Sequence, residues 1–382
     1  MVAPKRNVSK PSKPHADFPL FAHSSGQWAK KLAGRIHYFG RWDDPKAALE
    51  KWLDEKDDLL AGREPRMVEG CTLRELCNRF MNFKAQQRDA GDISERMWQD
   101  YFVTCRTLME VFRFNPDVEN LRPDDFQRLR AVFAETHGPV RLSSDIIRTR
   151  TVFKWGLESG LFDRPLRFGP SFKPPSRATL RRHRAKRGAK MFSDREIRMM
   201  LLGASVPLRA MILLGINCGL GNHDCVELRT KHLDLDNGWL DFPRPKTGVQ
   251  RRCPLWPETI HAVRYALRFR PKPQEQTDRV FLTQKGNDWG PKSVWDNPIA
   301  KETTKVTKAL GIHRKGVGFY ALRHTFQTIG GRSRDLQAVR EIMGHADAAN
   351  DMAATYTEER VDDDRLRAVV DYVRAWLFRG GN

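Results

Sequence analysis

Long apolar runs are missing from this sequence of 382 residues. The best of them, residues 210–216, is far short of the roughly 20 residues that a membrane helix needs, so no span is expected. Residues 1–15 contain no apolar core of a secretory signal, and none is expected. Cysteine is sparse. Cys71, Cys77, Cys105, Cys218, Cys225 and Cys253 form no CxxC pair and no Cys/His cluster at zinc spacing. Most of them read as small buried hydrophobes in a reducing cytoplasm. No GxxxxGK(S/T) loop, dinucleotide fingerprint, HExxH or carboxylate cluster occurs, which argues against nucleotide hydrolysis, hydride transfer and two-metal nuclease chemistry. No cofactor and no metal is expected.

Negative charge is also scarce. Lys and Arg number 67 against 47 Asp and Glu, a net charge of +20, while 40% apolar residues mark a folded chain. Such an excess implies a polyanionic partner, in the first place nucleic acid. Residues 1–41 carry net +7 and residues 164–190 carry net +10, so 17 of the net +20 sits in two stretches. Residues 164–191 are expected as a basic linker. Pro165, Pro170, Pro174, Pro175 and Gly188 argue for an extended connection, either a solvated tether or a strap along phosphates. Arg181, Arg182, Arg184, Lys186 and Arg187 there, with Lys30 and Lys31 near the N-terminus, are the candidate DNA-binding residues.

The chain reads as mostly α with small β elements, an α+β organisation. Within residues 1–66, residues 18–21 and 27–42 pattern as short strands, and Asp44-Pro45 opens a helix to about Leu60. Residues 67–163 pattern as four helices. Thr72 and Ser94 start the first two, residues 123–136 form the third, and Ser143 or Ser144 opens the fourth, ending near Ser159-Gly160. Trp98, Tyr101 and Phe102 belong to its core. In residues 192–382, Ser193-x-x-Glu196 caps a helix over 194–203, followed by 207–217. Strands are expected over 239–242, 252–255 and 280–283, and further helices over 257–269, 292–310, 320–330, 335–343 and 362–377.

One ordered set of motifs stands out. It runs Tyr320-Ala321-Leu322-Arg323-His324-Thr325, then Ile342-Met343-Gly344-His345, then Thr355-Tyr356-Thr357. Upstream lie Cys218-Gly219-Leu220, Val226-Glu227-Leu228-Arg229 and Pro245-Lys246-Thr247-Gly248. This arrangement resembles the tyrosine recombinase (phage integrase) family, with motifs over about 192–360. The layout resembles it along the whole chain: an arm-type module at 1–66, a helical core-binding domain at 67–163 and a mixed α/β catalytic domain at 192–382.

The resemblance implies a site-specific recombinase or integrase. Tyr356 would attack the scissile phosphate, giving a 3′-phosphotyrosyl bond and a free 5′ hydroxyl; the covalent link conserves the phosphodiester energy without ATP or metal. Arg323 would neutralise the non-bridging oxygens, His345 would donate to them, and Lys246 would protonate the leaving oxygen. Partners would be double-stranded DNA and, during recombination, three further protomers in a tetramer on DNA, with a monomer or weak oligomer in its absence and the protein in the cytoplasm at the nucleoid. The helix over 362–377 would dock on a neighbouring protomer or on its own domain. Two positions depart from the family pattern: Gly221 stands where an arginine follows Gly-Leu, and Tyr320 stands where His or Lys is usual. Arg229 and Arg209 are candidate substitutes for that arginine, with Arg251 and Arg252 also near in sequence. Gly221 keeps a second reading open, a weakened or inactive recombinase-like protein that occupies recombination sites. Single-duplex relaxation shares the chemistry but needs no arm-type module.

Overall fold

The computed structural model describes residues 10–32, 34–60, 62, 70–113, 115–293, 296–345 and 360–379. The chain divides into two compact units, Met1–Arg187 and Gly188–Asn382. The described residues are mostly helical with two small antiparallel sheets, as the sequence pattern predicts.

The first unit opens with β1 (Phe21–His23), β2 (Gln27–Leu32) and β3 (Arg35–Arg41), an antiparallel sheet in that order. Against it packs α1 (Pro45–Leu60), whose start is capped by the Asp44 carboxylate accepting from the Ala47 N–H at 2.9 Å. Phe18, Leu20, Trp28, Phe39, Ala48 and Trp52 form a core of their own. That core is small, so this module relies on aromatic area.

Four helices follow: α2 (Leu73–Asp89), α3 (Glu95–Val111), α4 (Pro123–Thr136) and α5 (Pro139–Glu158). Thr72 and Ser94 cap the first two through their hydroxyls, as their sequence spacing predicts. The fourth helix begins at Pro139, ahead of the expected Ser143. A proline in the first turn has no N–H to leave unpaired, so it starts this helix instead of preceding it. Asp100 and Asp145 are buried between helices, where Arg148 and Arg141 each pair with both acids. Two neutralised carboxylates in a core fix helix register more than they add stability.

Residues 164–187 differ from the extended connection expected of them. Phe168 and Phe172 stack at 5.7 Å, Phe172 is fully buried in the helical core, and Arg150 donates to the Phe172 carbonyl at 2.7 Å. Beyond Pro175 comes α6 (Arg177–Lys186), capped by the Ser176 hydroxyl. The prolines confine the extended part to residues before 176, and the ten residues after it contain no breaker.

The second unit is built around α8 (Val206–Asn217), whose residues from Ala210 to Asn217 are all buried. Around it lie α7 (Asp194–Gly203), α9 (Asn222–Glu227), α10 (Pro257–Arg268), α11 (Pro298–Ala309), α12 (Ala321–Gly330), α13 (Leu336–Met343) and α14 (Asp363–Arg379). A second antiparallel sheet runs β4 (Leu233–Asp234), β5 (Trp239–Asp241), β6 (Arg252–Pro254). The strand expected at 280–283 is reduced to one bridge between Leu282 and Asp288, although Val280, Phe281 and Leu282 are buried. Burial there is supplied by helices, so no ladder is needed to cover the apolar side chains. The helix expected from 292 starts at Pro298, because Asn297 caps it and the proline blocks any turn before it.

The C-terminal helix α14 lies on its own domain. Leu366, Val369, Val370, Val373 and Leu377 are buried there, Trp256 donates to the Val370 carbonyl at 2.9 Å, and Arg374 pairs with Glu258. Of the two placements left open for this segment, the one within the protomer is observed. No helix among the described residues is long and apolar enough to cross a membrane.

Candidate active site

Four segments of the second unit converge near the C-terminal end of α8. The first is the N-terminal turn of α12, which carries Tyr320 and Arg323. Arg323 is 3% exposed, and its guanidinium donates from Nη1 to the Gly219 carbonyl at 2.6 Å and from Nη2 to the Met343 carbonyl at 2.7 Å. These bonds fix the plane of the guanidinium while leaving further N–H groups for a ligand. Burial, helped by the neighbouring Arg244, pushes its pKa down to about 10, so it stays a cation at neutral pH.

The second segment is the end of α13. Gly344 closes that helix in the left-handed region (φ 58°), where a side chain would be strained, and hands the chain to His345. Burial, then the cations Arg323, Arg244 and Arg340, push the His345 pKa down to about 4. A neutral imidazole beside a buried guanidinium offers an N–H to an anion without adding like charge. An anion placed there would lift the pKa again. His345 is therefore expected to titrate near pH 4 in the free protein and higher with duplex DNA bound. Imidazole chemical shifts measured by NMR against pH check this, and an unshifted midpoint near 6.5 would refute it. The linkage has one sign. The unfolded chain takes up this proton near 6.5 and the folded chain only near 4, so His345 makes stability rise with pH across that window.

The third segment is the turn between β5 and β6, held by backbone bonds from Arg244 N to Val249 O at 2.8 Å and from Gly248 N to Arg244 O at 2.8 Å. Lys246 sits exposed at its tip, as its sequence context predicts. Arg244 lies at its base and donates from Nη1 to the Gly344 carbonyl at 3.3 Å. Arg251 is at the other base, its side chain wholly buried; its Nε donates to the Phe242 carbonyl at 2.8 Å, and its Nη2 lies 3.3 Å from Asp224 Oδ1.

The fourth segment is Gly219-Leu220-Gly221 leading into α9. Asp224 accepts from the Gly221 N–H at 2.7 Å. Gly221 has extended backbone (φ −91°, ψ 178°), so a side chain is sterically allowed by its torsions. A Cβ there would lie 3.1 Å from Tyr320 Cε2, so the Tyr320 ring already occupies the space beside it. The two departures from the family pattern are thus neighbours in space. His324 is exposed on the outer side of α12, with its ring edge-on to Tyr320 at 5.4 Å.

The structure does not gather the other arginines proposed from sequence. Arg229 pairs with Asp278 at 2.9 Å, and Arg209 turns to the Ala204 carbonyl at the opposite end of α8, about 15 Å along the helix from Gly219. Arg252 is bound to Asp241 and Asp363. Sequence proximity misled here because α8 and α9 carry these residues away from the turn they flank. Arg244 was missed altogether. Its signal was its place two residues before Lys246 in a turn that must fold back. Tyr356 lies outside the described residues, as do all of 346–359.

Arg181, Arg182, Arg184, Lys186 and Arg187 are all exposed on or just after α6. Among the described residues no carboxylate pairs with them. Lys31 is exposed as well. Lys30 is not available as expected: it donates to the Pro19 carbonyl at 2.8 Å and lies over Trp52 at 5.3 Å, because strand alternation turns it towards α1.

Residues 197–362 match the phage integrase family. The tyrosine recombinase XerC of Pseudomonas putida (strain W619) is 29% identical over 164 residues, 43% of this chain and 51% of that one. XerC of Salmonella typhi is 27% identical over 250 residues, 64% of this chain and 76% of that one. The chain thus spans about half the length of the first of these curated relatives. Among solved structures, a lambda integrase tetramer bound to a Holliday junction superposes with a TM-score of 0.58 at 13% identity, covering 87% of this chain and 96% of that one. XerH bound to its difH substrate superposes with a TM-score of 0.54 at 17% identity, covering 78% and 83%. At such identities the likeness is one of fold. The family match over residues 197–362, the curated relatives and the fold agree with the motifs that converge around Arg323: this chain carries a phage integrase domain, similar to that of tyrosine recombinases.

Proposed function

We propose that this protein is a site-specific DNA recombinase that cuts and rejoins DNA through Tyr356. The observation that carries the reading is the buried Arg323 guanidinium, clamped by the Gly219 and Met343 carbonyls beside His345. The Tyr356 oxygen attacks the scissile phosphorus, its proton passes to solvent water, and the bond to the 5′ oxygen breaks. Lys246 supplies a proton to that leaving oxygen, and a 5′ hydroxyl of the recombining strand later reverses the reaction. Arg323 and His345 donate to the non-bridging oxygens, whose charge is greatest in the transition state. Strand exchange between two duplexes takes four such protomers, as in the lambda integrase tetramer on a Holliday junction. The reading places the protein in the cytoplasm at the nucleoid, where its DNA is. A nicked duplex that loses its short cleaved end traps the covalent adduct. A denaturation-resistant protein–DNA band supports the reading, and its absence across target sites refutes it. That absence would favour the second reading, a DNA-binding protein without cleavage, for which Gly221 is the specific observation.

The exposed cations of α6 are assigned to the phosphate backbone. Like charges three and four residues apart destabilise a helix, so this segment gains most from a polyanion. Changing Arg181, Arg182 and Arg184 together to Ala is expected to weaken binding evenly across sequences. The slope of log affinity against log salt should flatten by about 0.9 per lost contact. Affinity titrations at several salt concentrations measure it, and an unchanged slope refutes the assignment.

A further inference from the structure

A phosphoryl transition state places charge on two non-bridging oxygens, and Arg323 is the only family-pattern arginine present to meet it. Gly221 carries no side chain, and the Tyr320 ring lies over the space where one would begin. A second cation must come from another direction. The turn between β5 and β6 brings two guanidinium groups towards Gly344. Arg251 contacts that glycine with its methylenes: its Cδ would lie 3.4 Å from a Cβ built there. Both terminal nitrogens of Arg251 are sealed from solvent, however, with Asp224 beside them, so no phosphate reaches them. Arg251 is a positioning residue that balances the acid capping Gly221. Arg244 is only half buried, and its Nη1 holds the Gly344 carbonyl while Arg323 Nη2 holds the preceding Met343 carbonyl.

We infer that Arg244 is a catalytic residue that supplies the second guanidinium to the scissile phosphate, an inference that rests on the strand-transfer reading above. Two cations gripping consecutive carbonyls just before His345 face one small region. Among the described residues no carboxylate lies within ion-pair distance of Arg244. Each of these groups feels the other: Arg244 is among the causes that lower the pKa of both Arg323 and His345. Such like-charge crowding is unfavourable until an anion enters, which is the electrostatic form of a phosphate site. The turn also explains why Arg244 is held while Lys246 is free to move. Arg244 is fixed by backbone bonds to Val249 and Gly248 at the base, and Lys246 hangs at the tip. Gly344 is part of the device, since a Cβ there would come within 3.1 Å of Arg244 Cβ.

The test is single-turnover cleavage of a nicked suicide duplex by the full chain, with duplex binding and thermal unfolding measured alongside. Arg244→Ala is expected to lose about 10²–10³-fold in cleavage rate, comparable to loss of an oxyanion donor, with binding little changed and Arg244→Lys intermediate. Arg244→Gln, which keeps the stem, replaces the Ala variant if that variant unfolds early. A second substrate carries a methylphosphonate at the scissile position, where a neutral methyl replaces one charged oxygen. If Arg244 neutralises that oxygen, the defect of the variant shrinks at least tenfold on this substrate. An active parent with an Arg244→Ala rate within threefold overturns the inference alone, as does an equal loss on both substrates. A parent that never forms an adduct overturns the strand-transfer reading, and the inference with it.

Discussion

Tyr356→Phe is expected to abolish the covalent protein–DNA adduct while leaving duplex affinity within about twofold. The change removes one oxygen and keeps the ring, so any loss is assigned to the nucleophile and not to packing. No other group in this chemistry substitutes for it, because the phosphodiester energy is conserved only if a protein oxygen takes the 3′ phosphate. Activated water would hydrolyse the strand and leave a nick that cannot be resealed. The measurement is the denaturation-resistant band on a radiolabelled suicide duplex, read beside a gel-shift titration. Adduct formation by the Phe variant at the parental rate would remove Tyr356 from its role and point to another hydroxyl.

Arg323→Ala is expected to have the second largest effect, and to show it twice. Cleavage should fall by about 10³-fold or more, since a preorganised guanidinium facing developing charge acts on the transition state beyond its ground-state binding. Unlike Tyr356→Phe, this variant also destabilises the fold. The Gly219 and Met343 carbonyls lose their donor bonds of 2.6 and 2.7 Å inside a buried site. Unsatisfied buried carbonyls cost about 1–3 kcal/mol each. Arg323→Lys separates the two roles. It keeps the charge but lacks the fork that spans both carbonyls and a phosphate together, so it should recover only part of the rate. Single-turnover cleavage paired with denaturant unfolding reads both. An Ala variant with parental stability would mean that the two carbonyls find other donors, and one with parental cleavage would refute the electrostatic role.

The sequence by itself determined most local structure and the order of the site motifs. Thr72, Ser94 and Ser193 cap helices where their spacing says they should, because a cap is satisfied by N–H groups two or three residues away. The pairing of Arg323 with Gly344-His345 was implied by the family resemblance of the ordered motifs and not by any local signal; in the fold, Arg323 donates to the Met343 carbonyl at the end of the helix that Gly344 closes. Where the reading failed, the cause was long-range. The basic stretch around Phe168 and Phe172 reads as linker by its prolines and charge, yet those rings find a core assembled from helices far away in sequence. Lys30 looks free until α1 turns Trp52 beneath it.

Only the tertiary structure decided which cations share the site. Arg229 and Arg209 flank Gly221 in sequence, but a helix rises 1.5 Å per residue and carries its residues away from its end. Arg244 is 23 positions beyond Gly221 and 100 before Gly344, and two strands folding back bring it to the Gly344 carbonyl. The covering of Gly221 by the Tyr320 ring is likewise a matter of packing, across 99 residues of chain. Caps and periodicity depend on neighbours within one turn, so sequence carries them. Charge convergence depends on where several chain reversals meet, and that is settled by the burial of whole elements against one another.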